Sequence, residues 1–361
     1  MRLLLLCGGR SGEHEISLLS AASVYAALDR RRFEVLVVGI TREEGLWLLL
    51  SSPEDTFREG LKASSGQPVV LGRDRDGPLL LSLDGSWSER VEVAFPLLHG
   101  PNGEDGTLQG LLEMSGLPYV GCGVLSSALS MDKGMAKDVL VRHGLPVAPY
   151  LVFRSREWEE DPEGISTRVE VELGYPVFVK PCNLGSSVGI SRAGDREELG
   201  RAVAGAALYD RRIIVERAIQ AREIEVSVLG NELPLTSVPG EVVPRREFYD
   251  YVAKYRDPST GLLIPAPLTP EEAERARELA RAAYQALDCA GMARVDLFLD
   301  RESGNLYINE LNTIPGFTAV SMYPKLWEAS GLPYPELLSR LVELALERWQ
   351  ERSRLRLTPG D

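Results

Sequence analysis

The residues best suited to chemistry lie in ARVDLFLDRESGNLYINELN, residues 293–312. Two strands joined by a turn around Arg301 to Asn305 would alternate their side chains. Arg294 and Asp296 then share one face of the first strand, and Glu310 and Asn312 one face of the second. Such a hairpin sets Asp296 opposite Glu310. Facing carboxylates repel unless a cation lies between them, and an Asp, Glu, Asn set of oxygen donors suits Mg2+ holding phosphates. The alternative is a solvated polar face. The apolar LFL and LYI around these residues argue against it, because charge in such surroundings needs partners.

A second stretch, VFVKPCNLGSSVGI, brings Lys180 to the end of a strand just before a Gly-Ser loop, Gly185 to Gly189, which contains Ser186 and Ser187. Glycines let backbone N–H groups approach phosphate oxygens, and the lysine supplies charge. The lysine precedes the glycines and no GK[ST] follows, so this is not a Walker A loop. By itself the segment reads equally as a turn. In IIVERAIQAREIEVSVLG, Glu216 and Glu223 are either exposed acids on two strands or, beside a triphosphate site, the surroundings of a base and a ribose. EFYDYVAKY, residues 247–255, gathers Phe248, Tyr249, Tyr251 and Tyr255 around Lys254, either as a cap over a core or as a lid.

These segments need elements to hold them. A chain of 361 residues predicts two or three domains, and 44% apolar with 26% charged residues is the profile of a globular protein. A net charge of -13 argues against nucleic acid as partner, so any phosphate site must be local. MRLLLLCGG reads as a first strand rather than a signal peptide, and no apolar run is long enough to span a bilayer. Cys7, Cys122, Cys182 and Cys289 are scattered without a CxxC pair, which fits a reducing cytoplasm and suggests neither disulfides nor zinc.

LLLLC, a helix from Ser17 to about Leu28 and FEVLVVGI predict a βαβ opening and a parallel sheet. Residues 43–89 read as hairpins and loops. VEVAFPLLHG reads as a further buried strand, and strand ends in such sheets are where ligands collect. A single helix is predicted through SALSMDKGMAKDVLVRHG, and another through EEAERARELARAAYQAL. LERWQERSRLRLTPGD reads as an amphipathic helix with a frayed tail. There are no internal repeats.

Taken together, GGRSGEHEISLLS, HGPNGEDGTLQG, MDKGMAKDVL, VKPCNLGSSVGI, EFYDYVAKY, RVDLFL, NELNTIPGFT and SMYPKLW resemble, in order and over nearly the whole chain, the D-alanine:D-alanine ligase family of the ATP-grasp superfamily. The resemblance implies an α/β ATP-grasp fold. A Rossmann-like parallel-sheet domain, residues 1–121, would precede two α+β domains, 122–214 and 215–361, that clasp ATP under a lid at about 240–265. It implies a cytoplasmic homodimer that joins two D-alanines through an acyl phosphate, with ATP and two Mg2+ (or Mn2+) ions as cofactors.

Residue by residue, Lys133, Lys180 and Ser187 match positions at the ATP phosphates, and Lys254 the loop lysine that reaches the γ-phosphate. Glu216 and Ile219 lie where the family holds adenine, and Glu223 where it binds ribose. Asp296, Glu310 and Asn312 match the metal ligands, with Glu310 bridging both ions. Arg294 and the backbone of Gly316 match groups that stabilise the tetrahedral intermediate. Glu13 matches the acceptor of the first ammonium, though a glutamate in a first helical turn also serves the helix dipole. Ser186 and Tyr255 complete a triad with Glu13 in the family. Ser321 and Met322 stand where the second carboxylate is received, and His99 lies near the substrates or acts as a structural hydrogen-bonder. His14 and His143 read as surface or packing residues.

Alternatives keep the fold and change the second substrate to D-lactate or D-serine, or keep the nucleotide site without turnover. Tyr255 favours an amine nucleophile in this family, and the complete motif set favours turnover. A dinucleotide oxidoreductase is excluded because GGRSG lacks the GxGxxG spacing.

Overall fold

The computed structural model describes residues 1–185, 188–243 and 261–356. Among these residues the strands form three sheets. β1 (Arg2–Gly8) runs parallel to β2 (Glu34–Ile40) on one side and to β7 (Val93–Pro96) on the other. All three are apolar runs, and α1 (His14–Ala27) covers them as the βαβ pattern predicts. The helix begins three residues before the expected Ser17, because Glu13 already stands at its N-cap.

From β2 the sheet continues antiparallel through β3 (Trp47–Leu50), β4 (Gly66–Asp74), β5 (Gly77–Ser82) and β6 (Ser88–Arg90). The hairpins expected in residues 43–89 therefore extend the first sheet. The same stretch also holds α2 (Pro53–Glu59), which was not anticipated. Its sequence PEDTFRE has no apolar periodicity. One aromatic, Phe57, anchors it edge-on against Tyr25 of α1 at 5.8 Å.

After α3 (Thr107–Ser115), the single helix expected through MDKGMAKDVL is two, α4 (Val124–Met131) and α5 (Lys133–Arg142). Asp132 breaks them. It leaves helical backbone angles, and its carboxylate caps the second helix by accepting from the Met135 N–H at 2.9 Å.

The second sheet has the order β10 (Ser191–Ala193), β9 (Val177–Pro181), β11 (Arg212–Arg217), β8 (Tyr150–Arg154). α6 (Ser155–Glu160) follows β8, while α7 (Pro162–Arg168) and α8 (Arg196–Ala206) close its core around Val179, Leu199 and Val203.

The third sheet is built on β12 (Ala221–Gly230), β16 (Gly291–Asp300) and β17 (Leu306–Asn312). β13 (Leu235–Thr236), β14 (Gly240–Val243) and β15 (Gly261–Leu263) extend it. α9 (Pro270–Ala286) starts with a capping box, Thr269 to Glu272, and lays Ala276, Ala280, Ala283 and Tyr284 on the sheet. Ile224, Val226, Val295, Leu297 and Ile308 meet them from the strands. Each buried aliphatic side chain contributes roughly 1.5–3 kcal/mol. α10 (Met322–Ala329) packs on β12, and α11 (Tyr334–Ser353) sends Leu337, Leu338 and Leu341 into the core of the first sheet beside Leu3 and Phe95. α11 contains the amphipathic segment expected near the end of the chain.

All four cysteines are buried and unpaired by disulfides. Among the described residues no helix is long and apolar enough to cross a membrane.

Candidate active site

The site grows from one face of the third sheet. Asp296 pairs with Glu310 on β17 and with Glu225 on β12, so three carboxylates stand in a row across three strands. The adjacent row is Ser227, Arg294 and Asn312. The opposite face, Ile224, Val226, Val295, Leu297 and Leu311, is buried under α9. This polar face depends on one irregularity. Near the turn the register pairs Leu299 with Leu306 and Leu297 with Ile308, but Asp296 pairs with Glu310. Asn309 is thus an extra residue, a β-bulge. Were Asn309 paired regularly, Leu306, Ile308, Glu310 and Asn312 would all point to one side. With it, Leu306 and Ile308 enter the core while Glu310 and Asn312 face the cleft.

Cations separate the carboxylates. Arg294 forks onto Asp296, Nε to Oδ1 and Nη2 to Oδ2 at 2.7 Å each, and its Nε lies 3.0 Å from Glu225 Oε2. Asn312 Nδ2 donates to Asp296 Oδ2 at 2.9 Å. The Lys133 ammonium, from the first turn of α5, lies 3.9 Å from Glu310 Oε2 and donates to the Leu184 carbonyl before the Gly-Ser loop. Asp296, Glu310 and Asn312 fit a hard divalent ion. They offer carboxylate and amide oxygens, and the row already draws in guanidinium and ammonium charge.

The second sheet supplies the other wall. β9 carries Lys180 and β11 carries Glu216; both are buried. Lys180 Nζ is 2.5 Å from Glu216 Oε2, and Lys137 of α5 is 2.9 Å from Glu216 Oε1. Burial opposes ionisation of Glu216, but the two ammonium charges outweigh it and hold the carboxyl down at about 2. Asn183 anchors the start of the Gly-Ser loop by donating to Asp132 and Asp210, and Arg212 closes the network on Asp132 at 2.7 Å. Ile219 sits half-buried in the connection from β11 to β12, and Glu223 follows on β12, pairing with Val242 and Phe298. Ser186, Ser187, Lys254 and Tyr255 lie outside the described residues, as does EFYDYVAKY.

Glu13, from the N-terminus of α1, completes the enclosure. A Cβ at Gly100 would lie 2.6 Å from its Oε2, and one at Gly185 3.0 Å, so its carboxylate is wedged between the loop after β7 and the loop after β9. Gly100 also has φ of 76°, a conformation that favours glycine. Beside it, Glu104 Oε2 accepts from the Gly100 N–H at 2.7 Å. Glu104 is half-buried. Burial, with the Glu13 charge second, pushes the Glu104 carboxyl up to about 8.

His99 lies buried in the same cluster. Its Nδ1 faces the Ile314 carbonyl at 3.1 Å, which can only accept, so Nδ1 carries the proton. Its Nε2 then accepts from Ser20 Oγ at 3.1 Å, and Ser20 Oγ accepts from the Phe317 N–H. Burial lowers the imidazole pKa and keeps the ring neutral. Both ring nitrogens are engaged within the protein, so the structural side of the two expectations for His99 has direct geometry here. His14 is buried with Nδ1 on the Gly9 carbonyl, and His143 is exposed at the end of α5.

The raised Glu104 value makes a prediction. Between about 4.5, the ordinary value, and about 8, the folded protein keeps a proton that the unfolded chain releases. The group's stabilisation is therefore full at low pH and is lost as pH rises through this window. Glu104→Gln, a mimic of the protonated form, is expected to match the wild type near pH 5 and to melt at least about 2 °C higher near pH 8.5. Parallel melting curves at both pH values would refute the shift.

The last wall is the turn after β17. A Cβ at Gly316 would lie 2.7 Å from Ser321 Oγ. That hydroxyl bonds Thr318 Oγ1 at 2.8 Å and accepts from the Thr318 N–H rather than capping α10. The N-terminus of α10 thus offers backbone N–H groups and a positive dipole end to a carboxylate. The Met322 side chain is buried against Leu326 and Val242, so only its backbone N–H can take part.

Glu104, Glu225 and Lys137 went unremarked in the sequence. Each had a signal: Glu104 is the first of two acids in GEDG, Glu225 alternates with Glu223, and Lys137 stands one helical turn from Lys133.

Known proteins resemble this chain in sequence and fold over nearly its whole length. The profile described as D-ala D-ala ligase N-terminus matches residues 2–122, and D-ala D-ala ligase C-terminus matches residues 139–343. The chain is 53% identical over 354 residues to the D-alanine--D-alanine ligase of Heliobacterium modesticaldum, covering 98% of this chain and 96% of that protein. It is 50% identical to that of Thermoanaerobacter sp., with 98% of each covered. Among solved structures, the D-alanine-D-alanine ligase from Coxiella burnetii superposes with a TM-score of 0.86 at 37% identity, covering 98% of this chain and 96% of that one. The VanG D-Ala:D-Ser ligase from Enterococcus faecalis superposes with a TM-score of 0.85 at 35% identity, covering 95% and 99%. The first sheet with its parallel β2-β1-β7 portion, the two further sheets facing each other across the Lys133 contact and these likenesses identify an ATP-grasp enzyme, and the chain belongs to the D-alanine–D-alanine ligase family.

Proposed function

We propose that this protein joins two D-alanine molecules into D-alanyl-D-alanine at the expense of ATP, for peptidoglycan precursor synthesis in the cytoplasm, as a homodimer. The observation that carries the reading is the position of Lys133. Its ammonium reaches Glu310 in the carboxylate row and the Leu184 carbonyl at the Gly-Ser loop, so groups suited to phosphate and to a divalent ion meet at one point.

In the proposed reaction an oxygen of the first D-alanine carboxylate attacks the γ-phosphorus, the bond to ADP breaks and an acyl phosphate forms. The amine of the second D-alanine then attacks the acyl carbon; phosphate leaves and the amine gives up a proton. Both steps move negative charge, so cations and N–H donors held in place lower the barrier. Lys133 and Lys180, with Ser187 and Lys254, serve the phosphates. Glu216, Ile219 and Glu223 serve the nucleoside. Asp296, Glu310 and Asn312 would hold Mg2+, which when bound offsets phosphate charge. Glu13 receives the first ammonium beside Ser186 and Tyr255, and Ser321 with the Met322 N–H receives the second carboxylate. Arg294 and the Gly316 backbone face the acyl carbon's developing oxyanion, with His99 behind them.

Phosphate release from Mg-ATP should require D-alanine, with L-alanine inert and D-serine and D-lactate weaker. Release driven best by D-serine would assign the second-substrate preference of the VanG-like structure instead. ATP binding without D-alanine-dependent release would sink the ligase reading.

A further inference from the structure

We infer that Lys137 is a positioning residue for nucleotide binding, holding the Glu216 carboxylate so that Glu216 in turn holds the Lys180 ammonium at the head of the phosphate loop. The inference rests on the proposed ATP site and adds a residue with no role in it so far. Lys137 is on α5, four residues after Lys133, and its neighbours Ala136 and Leu140 pack into the core beneath the third sheet. The side chain is only 2% exposed, and that of Glu216 4%. An ammonium so placed is costly unless something requires it, because replacing a buried ion pair by apolar groups is often neutral for stability.

The geometry shows what it does. Glu216 Oε1 lies 2.9 Å from the Lys137 ammonium and Oε2 2.5 Å from that of Lys180, so an ion pair holds the carboxylate at each oxygen. The three groups come from α5, β11 and β9, and the strands pair directly, Glu216 with Phe178 and Lys180 with Ile214. One lysine would neutralise Glu216. Two leave the triad with a formal charge of +1 just before Gly185, where an entering phosphate chain brings the opposite sign. Burial lowers the Lys137 pKa, partly offset by Glu216, whereas for Lys180 burial is outweighed by Glu216, Glu310 and Glu223 together, which raise it. Lys137 is thus the more weakly held partner and Lys180 the one delivered to the ligand. Losing Lys137 frees Oε1, lets the carboxylate turn and relaxes Lys180 without touching the acyl-transfer side of the cleft.

The test is calorimetric titration of the full-length protein with Mg-ADP, alongside steady-state kinetics. Lys137→Met should weaken ADP binding and raise the KM for ATP about tenfold, while the KM for D-alanine and kcat change less than about twofold. Lys137→Gln, which keeps a donor to Glu216 without the charge, should fall between. In a Glu216→Gln background, Lys137→Met should add less than about twofold, because its route through Glu216 is gone. Unchanged ADP affinity in both Lys137 variants would overturn the inference, as would equal losses in both KM values and kcat. Wild-type protein that fails to bind ADP would instead refute the nucleotide site itself. Should the methionine variant not fold, wild-type affinity in Lys137→Gln is by itself enough to overturn the positioning role.

Discussion

Glu310→Gln is expected to lower D-alanine-dependent phosphate release by about a thousandfold while leaving the melting temperature within a few degrees of wild type. Glu310 is the carboxylate nearest Lys133 and stands across the strands from Asp296. Amide for carboxyl keeps the shape but removes the charge that a metal ion at phosphate oxygens needs. The fold should tolerate it, because Glu310 lies on the cleft face and its side chain is 25% exposed. Kinetics at saturating Mg-ATP, with thermal melts of both proteins, check this. Turnover within tenfold of wild type would remove Glu310 from the metal set and weaken the reading of the whole carboxylate row.

Deleting Asn309 is expected to cost far less, leaving turnover within about tenfold and the melting temperature within about 5 °C of wild type. The deletion takes out the bulge and leaves the hairpin one register. With Asn309 gone, Glu310 follows Ile308 directly, so strict alternation keeps Leu306 and Ile308 in the core and Glu310 and Asn312 on the cleft face. Asn309→Ser keeps the residue count and should retain most of the stability and activity. A deletion variant that loses turnover or melts more than about 10 °C below wild type would show that the bulge itself, beyond the faces it sets, is needed.

Much of the architecture was legible because it follows from local pattern. Apolar LLLLC and FEVLVVGI on either side of a helix could only bury both faces in a parallel arrangement, and β1 and β2 do so. The helical pattern of EEAERARELARAAYQAL marked α9 equally well. α2 was missed because its one anchor, Phe57, is held by Tyr25 from another helix. The break at Asp132 was missed because an aspartate within a helical pattern reads as a surface residue until its capping bond and its Arg212 partner are seen.

The site divides in the same way. By itself the sequence determined which groups are present and, through the period of two, that Arg294 with Asp296 and Glu310 with Asn312 act as pairs. Tertiary structure decided the rest. The bulge at Asn309 chose the face on which Glu310 stands, although a simple hairpin from the same turn would have set Asp296 against Asn309. The packing of three segments placed Glu104 beside Glu13 and raised its carboxyl to about 8. α5 carried Lys137 to Glu216 on another sheet. Periodicity is a property of neighbours along the chain, so sequence reveals it. Strand register and the ionisation of buried groups depend on neighbours brought together from distant segments, so only the folded chain sets them.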